Sequence, residues 1–318
     1  MRKIVIPDWD TVSADDVGFS VFSKYGEVKC CGPTLPEEAA EKIGDADIVL
    51  CNKTPITAKV IAKCPNLKYI GLFATGYNNI DLNAASERGI VVCNAGEYST
   101  QAVAQHTFAL LLSLAGNMTA YDKSVKEGAW MQSPTFSWFP HPVHELWGKT
   151  IAVIGYGSIG KAVAKIADAF GMRVIISTRT VPENCPYPVV SMEEAFRQAD
   201  VLTIHCPLNE QTAHLVRRET LSLMKPTAFL INTARGGIVR EEDLAEALNS
   251  GRLAGAGLDV LDKEPMSPDT PLRNAKNCLI TPHIAWSPLE TRERLIGIVA
   301  ENLEAFLAGK PKNQVNSF

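Results

Sequence analysis

The stretch "KTIAVIGYGSIGKAVAKIADAFGM" limits this chain more than any other. An apolar run ends at Gly155, Gly157 follows two positions on, and Gly160 opens an amphipathic segment. A strand that turns sharply into a helix favours glycine, which takes left-handed backbone without a Cβ penalty. Gly155 permits the turn, Gly157 lets backbone approach a bound group, and Gly160 lets helix and strand pack closely. A lone G-x-G-x-x-G is a weak signal, and an ordinary glycine turn is the competing reading. Between an apolar strand and a helix, the pattern predicts a pyrophosphate at the helix N-terminus, and so a dinucleotide.

The rest of the chain repeats the same grammar. Short β-branched runs alternate with amphipathic segments, the signature of parallel sheets covered on both faces. The first series is "KIVIP", "EVKCC", "DIVLCN", "KYIGLFAT" and "IVVCNA", with helices predicted over 36–46 and 57–64. The segment from 99 to about 126 is too apolar for a surface helix and reads as buried, within the chain or between subunits; Ser99 or Thr100 can cap it. Residues 130–147, with Trp130, Trp138 and Trp147, read as an irregular arm. A second series of six strands begins at "KTIAVIG", and residues 287–309 form one long amphipathic helix with no strand after it. That helix is expected to return to the first domain. The predicted fold is α/β: two doubly wound parallel-sheet domains, a Rossmann dinucleotide-binding domain (99–286) inserted into a discontinuous flavodoxin-like substrate domain (1–98 and 287–318).

Composition narrows the setting. At 318 residues with 46% apolar and 21% charged, two packed domains fit. A net charge of −4 argues against a nucleic-acid partner. The N-terminus lacks a signal peptide's apolar core, and "FALLLSLAG" is too short to span a bilayer. The eight cysteines show no C-x-x-C and read as small buried hydrophobes in a reducing cytoplasm. No histidine has metal-ligand spacing; His106, His141, His144, His205 and His214 read on their own as structural or surface residues.

Three ionisable residues follow strands of that second series: Arg235 after "AFLINTA", Glu264 after "GAGLDV", and His283 after "CLITP". Alone, they read as a surface charge, a turn residue before Pro265 and a core histidine. Together they lie where open α/β sheets bind ligands, outside the carboxyl ends of strands. An Arg fork pairs with a carboxylate, a His gives or takes a proton beside a reacting oxygen, and a carboxylate beside that His favours its protonated form. With hydride from a nicotinamide cofactor, the set describes reduction of a 2-oxo acid.

These segments, "INTARGGIVREEDL", "GLDVLDKEP" and "TPHIAWSPLETRERL", together with the glycine turn, resemble the D-isomer-specific 2-hydroxyacid dehydrogenases from about residue 45 onward. "LFATGYNNID" and "PHIAWSP" are most similar to the glycerate dehydrogenase (hydroxypyruvate reductase) branch. The resemblance implies a catalytic set of Arg235, Glu264 and His283, and a homodimer built on helices like those at 100–126. It implies that backbone at Ala74, Thr75 and Gly76 meets the substrate carboxylate; Trp286 and Trp138 read either as walls of the pocket or as core packing. On the cofactor side it implies Tyr156, Gly157, Ser158 and Ile159 at the glycine turn, His205, Cys206, Pro207 and Thr212 beside the adenosine, Thr233 and Ala234 beside the nicotinamide, and Asp259 at its carboxamide. Gln105 departs from the more usual Glu. Another small D-2-hydroxy acid as substrate, or a dinucleotide-sensing regulator like the related corepressors, are the alternatives.

"RVIISTRT" bears on which dinucleotide. NAD-specific units hold an acidic residue at the end of the second strand, where it accepts ribose hydroxyls. Here that place holds Ser177, Thr178, Arg179 and Thr180. The exchange removes repulsion of a 2′-phosphate and adds donors to it, so NADP(H) is favoured over NAD(H).

Overall fold

The β-branched runs become eleven short strands, and every ladder between them is parallel. Parallel sheets require cover on both faces. The computed structural model, which describes residues 1–318, meets this need in two units: Met1–Ser99 with Ser287–Phe318, and Thr100–Trp286.

In the first unit the chain runs β1 (Lys3–Ile6), β2 (Glu27–Cys30), α1 (Ala39–Ile43), β3 (Ile48–Cys51), α2 (Ala58–Lys63), β4 (Tyr69–Leu72), α3 (Leu82–Glu87) and β5 (Val91–Cys93). The sheet order is β2-β1-β3-β4-β5, the flavodoxin-like arrangement. Every side chain of β3 and β4 is buried, as central parallel strands demand. The Thr57 and Asp81 side chains accept from Val60 N–H and Ala84 N–H, capping α2 and α3. The helix predicted over 36–46 is shorter, because Gly44 at φ +56° ends it and residues 36–38 form a turn.

The second unit begins with α4 (Thr100–Ala115) and α5 (Met118–Lys126). Asn117 at φ +47° breaks this apolar segment into two helices. α4 is buried along most of its length, whereas α5 buries no residue. After the arm come β6 (Thr150–Ile154), α6 (Ser158–Ala169), β7 (Arg173–Ser177), α7 (Met192–Gln198), β8 (Val201–Ile204), α8 (Arg218–Leu221), β9 (Phe229–Asn232), α9 (Glu241–Asn249), β10 (Gly255–Leu258) and β11 (Cys278–Ile280). The order is β11-β10-β9-β8-β6-β7. A single parallel bridge, Ile176 to Val189, adds a rudimentary strand outside β7. That gives the dinucleotide-binding order, with its switch point between β6 and β8. Pro186 and Pro188 keep the extra strand to one bridge, since proline has no N–H to donate. Two apolar clusters cover the sheet's faces, one under α7 and α9 and one under α4 and α6.

The chain then returns to the first unit as α10 (Leu289–Leu307), packed on β4 with Phe306 against Tyr69 at 4.6 Å between ring centres. The unit boundary at 99/100 lies one residue beyond the sequence-based one.

Candidate active site

Adjacent strands bring the three ionisable residues to one edge. Leu258 on β10 is in register with Asn232 on β9 and Ile280 on β11, so three neighbouring strands end at the same level. Arg235, Glu264 and His283 follow those ends.

Each is held by a local device. Asn232 is fully buried (0% exposed); its amide donates to Arg235 O (2.9 Å) and its Oδ1 accepts from Ala234 N–H (3.0 Å). This clamp sets Arg235 in extended backbone, with the guanidinium exposed and one Nη1–H on Ala234 O. The next residue, Gly236, passes so close to β10's loop that a Cβ would lie 1.8 Å from the Leu261 carbonyl carbon. Gly236→Ala is therefore expected to force these loops apart, at a cost of about 1–3 kcal/mol. A drop in Tm of about 2–12 °C with a loss of kcat/KM follows; an unchanged Tm would refute the close approach.

Glu264 and His283 pair directly: Nδ1 lies 2.6 Å from Oε2, while Oε1 accepts from Leu261 N–H (3.1 Å). Occupying Nδ1 in this way leaves Nε2 as the ring atom available to a substrate. His283 sits at φ +55°, a left-handed position that non-glycine residues adopt only when their surroundings impose it. The surroundings are Asp259 (1% exposed), whose carbonyl accepts from His283 N–H (2.8 Å). Asp259 Oδ1 accepts from Thr281 Oγ1 (2.6 Å) and Ile284 N–H (2.9 Å), and Oδ2 accepts from Ala285 N–H (2.8 Å). His106 reaches from α4, 2.9 Å from Thr281 Oγ1 and 3.4 Å from Asp259 Oδ1. Burial opposes the Asp259 charge, yet these donors hold its pKa below the usual carboxylate range. A folded pKa below the unfolded one means that the clasp stabilises at higher pH and is lost as pH falls through the folded value. Sequence reasoning missed this clasp, and read His106 as structural or surface.

The glycine turn fits a dinucleotide. Gly155 is at φ +91° with a Cβ position 2.7 Å from the His205 carbonyl, and a Cβ on Gly160 would meet Gly155 O at 2.1 Å. Nothing lies within 4 Å of a Cβ on Gly157, which caps α6 with no side chain, so the open side faces the helix N-terminus. Tyr156 and Ile159 pack partly onto the α4–α6 core, and Ser158 is the first residue of α6. Gly155 N–H donates to Ser177 O (2.8 Å), tying the turn to the end of β7.

Other predicted contacts divide. Ser177, the last residue of β7, is 5% exposed; Thr178, Arg179 and Thr180 lie beyond the strand, Arg179 and Thr180 exposed and Thr178 half-buried. Burial drives the His205 imidazole down to about 3, and its Nε2 lies 2.8 Å from Thr203 Oγ1. Cys206 is half-buried and Pro207 exposed; Thr212 donates its hydroxyl to Pro207 O (2.7 Å), closing its own loop. Thr233 is buried with its hydroxyl 3.1 Å from that of Thr107, and Ala234 is half-buried. Trp286 is half-buried. Trp138 lines a groove of about 390 Å³ in the arm with Tyr121, Val125, Trp130 and Phe139.

In the first unit, Ala74, Thr75 and Gly76 follow β4. Their three N–H groups have no acceptor within the protein. Such N–H groups are left able to donate to an anion.

A parallel sheet with a glycine turn where strand order reverses, and acid–base groups at its carboxyl edge, is that of a dinucleotide-dependent oxidoreductase. The chain belongs to the D-isomer-specific 2-hydroxyacid dehydrogenase family: the model of that family's NAD-binding domain matches residues 108–285. It is 43% identical to a hydroxypyruvate reductase of Blautia hydrogenotrophica, over 99% of both chains. It is 37% identical to a glycerate dehydrogenase of Methylorubrum extorquens, again over 99% of both. Among solved structures, the NADPH-dependent glyoxylate/hydroxypyruvate reductase of Sinorhizobium meliloti, in complex with citrate, is similar with a TM-score of 0.85 at 27% identity, over 99% of this chain and 97% of that one.

Proposed function

We propose that the protein reduces hydroxypyruvate, and glyoxylate less specifically, to the D-2-hydroxy acid. The observation that carries this reading is the His283–Glu264 pair at the end of β11, beside the strand ends that carry Arg235. Arg235 binds the substrate carboxylate through its exposed fork. The free N–H groups of Ala74, Thr75 and Gly76 suit a carboxylate oxygen in their own unit. A nicotinamide dinucleotide, when bound, supplies the hydride that adds to C2. As the C=O pair moves onto oxygen, His283 gives its Nε2 proton to that oxygen, and Glu264 stabilises the imidazolium beforehand. Asp259 keeps Ile284 and Ala285, and with them His283, in place. Reduction of hydroxypyruvate, glyoxylate, pyruvate and longer 2-oxo acids, compared by kcat/KM, tests the substrate; a larger acid turned over faster than hydroxypyruvate would displace this reading.

We also infer a preference for NADPH. Thr178 removes the acidic group that would repel a 2′-phosphate, and exposed Arg179 offers a fork to it. A charge-assisted contact of about 1.5–3 kcal/mol corresponds to about 10–150-fold in affinity. Wild-type kcat/KM should favour NADPH, and Thr178→Asp/Arg179→Ala should reverse the order. A clear wild-type preference for NADH would refute the inference.

A homodimer is supported by α5 and the arm, where Met118, Met131, Phe136, Phe139, Val143 and Trp147 expose apolar surface. Sedimentation velocity measures this directly. No helix is long and apolar enough to cross a membrane. All eight cysteines are free, with burial pushing Cys30 and Cys93 up to about 11 and Cys278 to about 12, which fits inert thiols of a cytoplasmic protein.

A further inference from the structure

The loop after β4 is anchored in an unusual sense: only through its acceptors and one hydroxyl. Ala74 O accepts from Ala95 N–H (2.9 Å), and Thr75 O accepts from the Asn94 side-chain amide (2.7 Å). The Thr75 hydroxyl donates to Gly96 O. Nothing binds the N–H groups of residues 74–76, so these tethers orient the donors without consuming them.

Asn94 is itself held. β4 and β5 are neighbours with Gly71 opposite Cys93, so the two loops leave the sheet side by side. Asn94 Oδ1 accepts from Gly96 N–H (3.2 Å), fixing the amide's orientation. Asn94 O accepts from the side-chain amide of Asn302 (2.8 Å), a residue of α10 only 2% exposed. Asn302 Oδ1 accepts in turn from the Asn313 amide (2.9 Å), and Asn313 O accepts from Asn94 N–H (3.1 Å). A buried amide on a largely apolar helix face is costly unless both ends are paired. Here both ends are paired, and the pairing leads to Thr75.

We propose that Asn94, supported by Asn302, is a positioning residue: the relay Asn302–Asn94–Thr75 holds the loop so that its free N–H groups can take a carboxylate oxygen. This rests on the proposed role of that loop, and deepens it. Neither asparagine touches the reacting atoms.

The test is steady-state reduction of hydroxypyruvate by the full-length protein, with NADPH binding followed separately by fluorescence. Asn94→Ala and Asn94→Asp each remove the donor to Thr75 O; Asp keeps the acceptor for Gly96 N–H. Both should raise KM for hydroxypyruvate about 5–30-fold, with kcat changed less than about twofold. NADPH affinity should be unchanged. Asn302→Asp keeps the acceptor for Asn313 but loses the donor to Asn94, and should raise KM in the same direction; it carries the test if an Asn94 variant does not fold. A merely structural role would lower Tm and leave KM alone, and that outcome in the folded variants overturns the proposal. Thr75→Pro, which deletes one N–H together with the hydroxyl tether to Gly96 O, is compared with Thr75→Val, which deletes the hydroxyl alone, and the difference separates the two levels. If the proline variant raises KM beyond the valine one while the asparagine variants do not raise it, the relay fails alone. If the proline variant raises KM no further than the valine one, the loop's role fails with it.

Discussion

His283→Ala is expected to lower kcat for hydroxypyruvate reduction by roughly 10²–10⁴-fold, the range for removing a positioned proton donor. NADPH should still bind, because the glycine turn is on the far side of the sheet order from β11. The companion variant, Glu264→Gln, addresses the 2.6 Å contact at Nδ1. A neutral amide cannot make the charge-assisted contact to the ring at Nδ1, so kcat should fall, though less than in His283→Ala. If His283→Ala retained more than a tenth of wild-type kcat, the proton-donor role would be wrong. An unchanged kcat in Glu264→Gln would remove the electrostatic partnership while leaving the residue a holder of Leu261 N–H.

Arg235→Ala should be nearly as damaging, in a different parameter. A substrate carboxylate left without its fork costs on the order of 2–5 kcal/mol, or roughly 30- to 4,000-fold in kcat/KM. Arg235→Lys should recover only part of this, since a point charge cannot make the parallel pair of hydrogen bonds. Asn232 holds the backbone at Arg235 and Ala234, so the truncation should leave the β9 turn intact and Tm near wild type. Wild-type kcat/KM in Arg235→Ala would assign carboxylate binding elsewhere.

Much of this architecture is legible because its signals are local. Central parallel strands are apolar on both faces, so "DIVLCN" and "VLTIHCP" stand out without any partner being known. The glycine turn is legible because two of its glycines leave no space for a Cβ, at 2.7 and 2.1 Å from backbone. Arg235, Glu264 and His283 are legible because each follows a strand. The Asp259 clasp is not: His106 and Thr281 are 175 positions apart and meet only once α4 packs beside β10. Asn302 is hidden for the same reason; in sequence it is one more polar residue on an amphipathic helix. The Val189 bridge is hidden by its flanking prolines, which read as loop.

The chain leaves the first unit at Ser99 and re-enters it at Ser287, and Asn313 and Gln314 lie against β5. On a ribosome this reverses the order of completion. The inserted unit has all its strands once residue 286 has emerged, and can fold while synthesis continues, since domains fold as units. The first unit is incomplete until the segment after Ser287 has followed, because the amide of Asn302 and the Asn313 backbone belong to the framework of the loop at Thr75. A nascent chain stalled short of residue 302 would thus have the glycine turn in place while the loop at Thr75 still lacked its support.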